Sequence, residues 1–388
     1  MTTLNPRARD VKQSEIRRAS VRCAELGGIN LGQGVCDIPT PQLIKERAYQ
    51  AIEGNKNTYS ACGGVKPLRE AIAKKLKNFN KLDYDPMRQV MVSHGASGAF
   101  VCAVQTLLNP TDEVILFEPF YGYHKRILDL YGVTTRAITM GADDFSIDWT
   151  ALENAITPKT RMIVICTPCN PTGKVFSKEE LLKIGRLAKQ HDLLIITDEI
   201  YEYITYPGFE HISLASLEDF STRTITISGF SKTYNMTGWR LGYASGPADI
   251  ISQMALVQDL LYVCPSTPLQ HGVLAAFDMP ESYFQTMRDE YLIKRDHTCK
   301  ALRDMGFQFA TPEGAYYIMA NIEAMPFTND EDAANKLLED AKVAVVPGRA
   351  FYHEPESGKQ TVRFCFALDD AVITKALAQV ETMLASNT

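Results

Sequence analysis

Short apolar runs that alternate with helix-length segments constrain the fold of this chain most strongly. Turn residues bound these runs, which lie at residues 89–93, 113–117, 162–166, 193–197 and 224–228. Segments long enough for helices, such as 178–191, separate them. Strands that alternate with helices predict an α/β fold, with a mostly parallel sheet and helices on both faces.

The sequence changes character after about residue 285. A long helical pattern leads to apolar runs at 315–321, 343–346 and 361–367, and then to an amphipathic helix from Asp369. We therefore predict two domains: a large domain over 41–285, and a smaller α+β domain formed by 1–40 and 286–388. A helix over 14–26 should pack with the smaller domain.

The start of the large domain carries the signals of a helix over residues 41–53. Thr40 stands where an N-cap is needed, Pro41 at the first helical position and Gly54 after the last turn.

Composition and charge exclude several kinds of partner. The 388 residues carry a formal charge of only −6 and no basic run, so we expect no nucleic-acid partner. The apolar runs are far shorter than the roughly 20 residues that cross a bilayer, so we expect no membrane partner. Asp10 and Glu15 interrupt the N-terminal arginines, and no apolar signal core follows. We therefore expect a cytoplasmic protein.

Cys166 and Cys169 have the spacing of a redox or zinc pair. A zinc ribbon needs a second ligand pair, and a thioredoxin-type dithiol opens a helix. Here no second pair exists, and an Asn-Pro-Thr-Gly turn follows. We interpret the two cysteines as structural thiols and predict no metal site.

Polar groups follow several of the predicted strands. The turn Gly95-Ala-Ser-Gly98 opens a helix, Asp198 closes one strand, and Lys232 follows another. Open parallel sheets bind ligands beyond the carboxyl ends of their strands. Each group alone also has a plain structural explanation, as a connecting turn, a turn-capping acid or a surface lysine.

Arg240 lies in Thr-Gly-Trp-Arg-Leu-Gly-Tyr, residues 237–243, a polar and glycine-rich stretch that suits neither a strand interior nor a smooth helix. Arginine is the natural bidentate partner of a phosphate. Its distance of eight residues from Lys232 therefore favours an anion site near that lysine.

Four motifs together resemble one family: NLGQG at 30–34, CNPTG at 169–173, TDEIY at 197–201 and SGFSKTYNMTGWRLGY at 228–243. They resemble the class I and II aminotransferases of fold type I, the aspartate aminotransferase superfamily, in the family's order and over nearly the whole chain. The resemblance implies pyridoxal 5′-phosphate as cofactor and amino acids and 2-oxo acids as substrates. It also implies a ping-pong reaction and a homodimer with shared active sites.

The resemblance assigns roles around the cofactor ring. Lys232 matches the lysine that binds the cofactor covalently and shuttles a proton between the substrate's Cα and the cofactor. Asp198 matches the partner of the pyridine nitrogen. Asn170 and Tyr201 match the groups that hydrogen-bond the ring's phenolic oxygen. Tyr121 falls where the family stacks an aromatic side chain on the ring, although a plain core tyrosine is the alternative.

The same resemblance places the phosphate. The amides of Ala96 and Ser97 and the guanidinium of Arg240 match the family's phosphate-binding groups. Tyr59 matches a tyrosine that reaches the phosphate of the neighbouring subunit.

One departure from the commonest pattern concerns a serine three residues before the lysine. This chain has Gly229 there, and either Ser231 or Ser228 could replace the missing hydroxyl.

For the substrate, Arg363 matches the arginine that binds the α-carboxylate, together with Asn170 and the backbone of Gly34. An edge-strand charge is the alternative for Arg363. Val35-Cys36-Asp37 stands where many relatives have Glu-Pro-Asp, so the rim of this pocket departs from theirs.

Two features bear on the choice of donor. Ser97-Gly98 stands where some aspartate-preferring relatives have a lysine, which disfavours aspartate. The aromatic runs 120–123 and 316–317 favour neutral or aromatic donors, unless they are simply core. An aspartate aminotransferase and a pyridoxal-phosphate-dependent C–S β-lyase stay as alternatives.

Overall fold

The computed structural model of this chain describes residues 5–9 and 11–386. Asp10 and the ends of the predicted smaller domain, residues 1–4, 387 and 388, lie outside the described residues. The helices are α1 (Pro6–Arg9), α2 (Glu15–Glu25), α3 (Gln42–Glu53), α4 (Lys66–Lys75), α5 (Gly95–Leu107), α6 (Gly122–Tyr131), α7 (Trp149–Asn154), α8 (Lys178–Gln190), α9 (Ala248–Tyr262), α10 (Thr267–Val273), α11 (Glu281–Asp304), α12 (Asp330–Glu339) and α13 (Asp370–Ser386).

The strands are β1 (Ile29–Asn30), β2 (Val90–Ser93), β3 (Glu113–Glu118), β4 (Thr134–Thr139), β5 (Thr160–Cys166), β6 (Leu194–Asp198), β7 (Thr224–Gly229), β8 (Gly242–Ser245), β9 (Tyr317–Asn321), β10 (Val343–Ala344), β11 (Val346–Pro347) and β12 (Thr361–Cys365). Seven of them form the main sheet in the order β2-β8-β7-β6-β5-β3-β4. Its neighbouring strands pair in parallel except for β8, which is antiparallel to both β2 and β7. The predicted α/β fold with a mostly parallel sheet is confirmed.

Apolar side chains explain why helices cover both faces of this sheet. Successive strand residues point to opposite faces, so a strand buried on both sides is apolar throughout. Ile163 and Ile195 pack in one core cluster beneath α8, whereas Val164 and Ile196 pack in another beneath α5. The second cluster includes the small residue Ala103, which lets α5 approach the sheet closely.

Two smaller sheets are formed by strands from the C-terminal part of the chain together with β1. β12 is the central strand of an antiparallel sheet in the order β11-β12-β9, and β1 pairs in parallel with β10. The apolar run predicted at 343–346 is therefore divided between two sheets. The boundary between two domains at residues 40–41 and 285–286 stays a prediction.

The predicted helix at 14–26 forms as α2, with Ser14 as N-cap, whose hydroxyl accepts a hydrogen bond from the Arg17 amide at 3.3 Å. Arg18 forms an ion pair with Glu331 at 3.7 Å on α12, and Arg22 pairs with Glu339 at the end of the same helix. The N-terminal helix thus packs against the C-terminal part of the chain, as expected.

The N-cap prediction for α3 is wrong by one residue. Thr40 Oγ1 donates to the Asn235 carbonyl at 2.8 Å instead of capping the helix. Pro41 has a ψ of 133°, so it precedes the helix as its N-cap residue rather than opening it. Gly54 ends the helix as predicted.

Two strands of the main sheet were not predicted, and one of them corrects the interpretation of 237–243. β4 is an edge strand whose polar side chains hide the apolar pattern. Gly242 and Tyr243 belong to β8, although glycine-rich sequence disfavours a strand. A Cβ on Gly229 would lie 2.8 Å from the Gly242 Cα, so two facing glycines let β7 and β8 approach closely. None of the described helices is both long and apolar enough to span a membrane.

Candidate active site

A cavity of about 500 Å³ lies at the carboxyl edge of the main sheet. The parallel strands β5, β6 and β7 end at this edge and lead to Asn170, Asp198 and Lys232. β8 runs antiparallel to β7, so its first residues and the preceding Arg240 lie at the same edge. Topology alone therefore gathers side chains that are up to 70 residues apart in the sequence.

Lys232 is the half-buried amine of the cavity. Its Nζ donates to the Gly34 carbonyl at 2.8 Å and lies 5.9 Å from the centre of the Tyr201 ring. Burial lowers the pKa of the Lys232 ammonium from 10.5 to about 8, because the charged form loses hydration. A lysine with such a pKa is partly unprotonated near neutral pH, which a nucleophile and proton carrier requires.

Asp198 lies at the end of β6 with its carboxylate held from two sides. Oδ2 is 3.1 Å from His124 Nε2, and Oδ1 accepts a hydrogen bond from the Ile200 amide at 3.3 Å. The His124 ring also meets the Tyr121 ring edge-on, with 5.3 Å between the centroids. His124 was missed in the sequence analysis, although its place in the first turn of α6, just after Tyr121, is a usable signal. It fixes both Asp198 and Tyr121.

Tyr201 and Tyr317 form a buried pair, with their hydroxyls 2.8 Å apart. Burial raises the pKa of both hydroxyls, so both keep their protons at neutral pH. A Cβ on Gly34 would lie 1.8 Å from the Tyr317 hydroxyl, so no larger residue fits at position 34. The glycine of the NLGQG motif is thereby explained by the approach of Tyr317, a contact that the sequence did not reveal.

Arg363 is only 1% exposed, although it carries a full charge. It lies on the central strand β12, so the edge-strand alternative is wrong. One guanidinium nitrogen donates to Asn170 Oδ1 at 2.6 Å and another to the Gly32 carbonyl. The Tyr317 ring lies 4.3 Å from the guanidinium carbon. Arg363 Nε is buried and has no partner among the described residues, so a donor is left for an anionic ligand.

The amino end of α5 and Arg240 form the opposite end of the cavity. α5 begins at Gly95, whose φ of +69° favours glycine, and Ala96 and Ser97 line the cavity in its first turn. Arg240 has a φ of +54° and donates to the Thr237 carbonyl at 2.9 Å. A Cβ on Gly95 would lie 2.7 Å from Arg240, so the glycine makes room for the guanidinium.

Of the two serines proposed for the phosphate, only Ser231 lines the cavity. Ser228 Oγ donates to Glu202 at 2.7 Å, and Glu202 is itself paired with Lys75 at 2.5 Å in a buried network. A serine at Gly229 would collide with β8, as described above. Ser231 is therefore the hydroxyl in position to face a ligand.

The aromatic residues divide between the cavity and the core. Tyr121, Tyr123 and Tyr317 line the cavity, and the Tyr121 and Tyr123 rings stack with 5.3 Å between their centroids. Phe120 and Tyr316 are buried and do not line this cavity. The aromatic pocket expected from the sequence is thus only partly formed by the expected residues.

The N-terminal helix supplies two cavity residues that sequence reasoning missed. Ile16 and Arg17, in the first turn of α2, close one side of the cavity. The Arg17 guanidinium forms no ion pair with any residue that the structure describes, whereas the adjacent Arg18 pairs with Glu15 at 2.5 Å.

Tyr59 is 82% exposed and does not line the cavity of its own chain. Leu260, on the exposed face of α9, is 88% exposed, and Leu256 on the same helix is 55% exposed. The role of Tyr59 at the phosphate of a neighbouring subunit stays a prediction.

The cavity residues fit pyridoxal phosphate in their chemistry. The first-turn amides of α5, Arg240 and Ser231 offer positive and donor groups to a phosphate. Asp198 offers an anion for a protonated ring nitrogen, and Lys232 an amine for the aldehyde. Because Gly95 has no side chain, space is left beside the Arg240 guanidinium, and a phosphate could bind there.

The geometry agrees with comparisons to known proteins. A family model described as aminotransferase class I and II matches residues 27–380. The chain is 36% identical to aromatic-amino-acid aminotransferase 2 of Thermococcus litoralis, over 98% of both chains. It is 37% identical to aspartate aminotransferase of Pyrococcus abyssi, over 96% of both. N-succinyldiaminopimelate aminotransferase from Mycobacterium tuberculosis is a similar solved structure, with a TM-score of 0.94, 32% identity and coverage of 98% of this chain and 100% of that one.

Proposed function

The chain belongs to the class I and II aminotransferases, and from that premise we propose that it moves an amino group from a neutral or aromatic L-amino acid to a 2-oxo acid by a ping-pong reaction. It is an enzyme, and its substrates are amino acids and 2-oxo acids. The proposal rests on one observation: the half-buried Lys232 lies in one cavity with Arg363, the candidate for binding the carboxylate.

Enzymes of this family use pyridoxal phosphate, which when bound supplies an electron-accepting ring beside the substrate's Cα. We propose that Asp198 keeps the ring nitrogen protonated and that His124 holds Asp198 in place. Asn170 and Tyr201 would bind the phenolic oxygen and Tyr121 would stack on the ring. The phosphate would be held by Ala96, Ser97, Ser231 and Arg240.

Lys232 is proposed to carry the proton. When Nζ is not bonded to the cofactor, it takes the proton from the substrate's Cα. It holds that proton and donates it again later in the same half-reaction. Its lowered pKa suits both directions, because the amine is close to half protonated near pH 8. Arg363 fixes the α-carboxylate through a bidentate pair, with Asn170 and the Gly34 backbone beside it, and so orients the Cα–H bond.

The cavity wall supports a neutral or aromatic donor. Ile16, Tyr123 and Ile127 give one side an apolar and aromatic lining, while Ser97 offers no positive side chain for a second carboxylate. The named relatives act on different donors, so the family alone does not choose among them.

A dicarboxylic acceptor is favoured by one observation. The Arg17 guanidinium, which pairs with no carboxylate among the described residues, offers a second anion site at the end of the pocket formed by α2. In a ping-pong reaction one pocket serves both substrates in turn. We propose that Arg17 binds the distal carboxylate of the 2-oxo acid, whereas apolar donors pack on Ile16.

The enzyme is further proposed to act as a homodimer with shared sites. Exposed apolar residues on α9 together with the exposed Tyr59 support a contact with a second subunit, in which Tyr59 reaches the phosphate of the partner subunit's site. A cytoplasmic location stays a prediction of the sequence.

A matrix of amino-acid donors against 2-oxo-acid acceptors on the purified enzyme tests the proposed function. We expect the highest kcat/KM for neutral or aromatic donors paired with a dicarboxylic acceptor. A preference for aspartate by ten-fold or more over every neutral donor would instead support an aspartate aminotransferase.

A simpler experiment distinguishes the proposed aminotransferase activity from that of a C–S β-lyase. Enzyme mixed with an amino acid alone should convert its cofactor stoichiometrically to the amino form and then stop. Continuous release of ammonia and pyruvate from a cysteine conjugate, with no acceptor present, would favour the lyase.

A further inference from the structure

Cys166 and Cys169 lie next to each other at the cavity wall. The proposed amino-group transfer uses neither of them. Cys166 is the last residue of β5 and lines the large cavity beside Asp198. Both cysteines also line a small void of about 10 Å³ behind Tyr121. The chain bends at Thr167 and Pro168 between them, which folds the two thiols onto the same side.

The two cysteines are neighbours but are not bonded. Both are free thiols, and both side chains line the same small void, where they interact with each other. Each also has a backbone carbonyl near its sulfur, that of Pro168 at 3.6 Å from Cys166 and that of Pro119 at 4.0 Å from Cys169. The interaction with the neighbouring Cys166 thiol lowers the pKa of Cys169, which favours a thiolate in the pair.

We propose that Cys166 and Cys169 form an oxidisable pair, which a peroxide converts reversibly to a disulfide and so switches the enzyme off. The proposal departs from the sequence interpretation of these residues as structural thiols. Its basis is that both side chains line one small void and that Cys166 also lines the large cavity, neither of which the Cys-x-x-Cys spacing reveals.

The chemistry balances with hydrogen peroxide as the oxidant. One sulfur attacks the peroxide, so that the O–O bond breaks, an S–O bond forms and one water leaves. The second sulfur then attacks the first, forming the S–S bond and expelling the hydroxyl as a second water. The two thiols lose two electrons and two protons in total, and a dithiol reductant reverses the change.

Disulfide formation should disturb substrate binding because Cys169 directly precedes Asn170. An S–S bond needs the sulfurs about 2.0 Å apart, closer than any non-bonded contact, so the backbone between them must shift. Asn170 Oδ1 accepts the 2.6 Å hydrogen bond that orients Arg363. A displacement of Asn170 would therefore weaken two interactions at once: its hydrogen bond with Arg363 in the carboxylate site and its proposed hydrogen bond with the ring's phenolic oxygen.

The short loop makes the switch readily reversible. Stabilisation by a disulfide grows with the length of the loop that it closes, and only two residues separate these cysteines. Such a bond is easily reduced, as a regulatory disulfide must be.

The test treats the cofactor-loaded enzyme with hydrogen peroxide and measures activity and thiol state together. The chain offers a convenient readout, because trypsin should release residues 162–174, between Arg161 and Lys174, as one peptide that carries both cysteines. We expect this peptide to lose two hydrogen atoms and to resist alkylation, while activity falls ten-fold or more. Dithiothreitol should restore both.

For the variants Cys166→Ser and Cys169→Ser, the activity after peroxide treatment is compared with the activity of the same variant before treatment. Both variants should retain most of their activity. Cys264→Ser, which removes a partly exposed thiol elsewhere, is the matched control and should respond like the unaltered enzyme. Full alkylation of both cysteines after treatment would overturn the proposal, as would equal inactivation of the two pair variants or a loss that dithiothreitol does not reverse. The peptide readout does not depend on which donor the enzyme uses, so it stays informative if the proposed donor is wrong.

Discussion

Arg363→Lys tests whether the buried guanidinium binds the substrate's α-carboxylate. The lysine keeps the charge but loses the planar fork that gives two parallel hydrogen bonds. Arg363 already uses one nitrogen for Asn170 and another for Gly32, and its Nε has no partner among the described residues. A lysine ammonium cannot satisfy these acceptors and a carboxylate together.

The loss of one charge-assisted hydrogen bond costs about 1.5–3 kcal/mol, which corresponds to a fall of about 10- to 150-fold in kcat/KM. Steady-state rates with several α-amino acids measure it. An amine that lacks the carboxylate is the diagnostic substrate, because its rate should change far less.

Arg186→Lys is the matched control. Arg186 also makes two hydrogen bonds to a carboxylate oxygen, of 3.0 and 2.6 Å to Glu218, but it is 65% exposed. Arg186→Lys should change kcat/KM little, because ion pairs at the surface contribute at most about 1 kcal/mol. An unchanged kcat/KM in Arg363→Lys, or an equal loss with the amine lacking a carboxylate, would refute the assignment.

Four further predictions concern Lys232, the two serines and Arg17. Because the pKa of Lys232 is lowered to about 8, the rate of cofactor binding by the cofactor-free protein should rise with pH and level off above about 8. The unfolded chain binds more protons than the folded one between about pH 8 and 10.5, so stability relative to Lys232→Met should rise with pH through that window in urea titrations. Ser231→Ala should raise the Kd for pyridoxal phosphate several-fold, whereas Ser228→Ala should lower the free energy of unfolding by about 1.5–3 kcal/mol, because it removes one of the hydrogen bonds to the buried Glu202 carboxylate. Arg17→Gln should raise the KM for 2-oxoglutarate about five-fold, as the loss of an exposed ion pair of about 1 kcal/mol implies, but leave that for pyruvate unchanged, and Arg18→Gln should alter neither.

Much of the site could be predicted because its residues follow strands whose apolar pattern is strong. The ends of β5, β6 and β7 place Asn170, Asp198 and Lys232 at one edge, and this follows from the rule for parallel sheets. Arg240 was predicted to bind phosphate, but the strand after it was not predicted. The paired glycines Gly229 and Gly242 give β8 its close packing, and glycine weakens any strand signal.

Contacts between distant segments could not be predicted. His124 reaches Asp198 across 74 residues of sequence, and Tyr317 reaches Gly34 across a gap almost four times as long. Such pairings depend on how the elements pack, which periodicity does not encode. The N-cap error at Thr40 has the same origin, since its hydroxyl is taken by the distant Asn235 carbonyl.

Lys232→Ala tests the central claim most directly. The variant is mixed with pyridoxal phosphate and then with an amino-acid donor, while the visible spectrum is followed. The account predicts a folded protein that lacks the visible absorbance of the lysine-bound cofactor and converts almost no donor, whereas Lys183→Ala, on the exposed side of α8, keeps both. A Lys232→Ala protein that retained the absorbance and the conversion would contradict it.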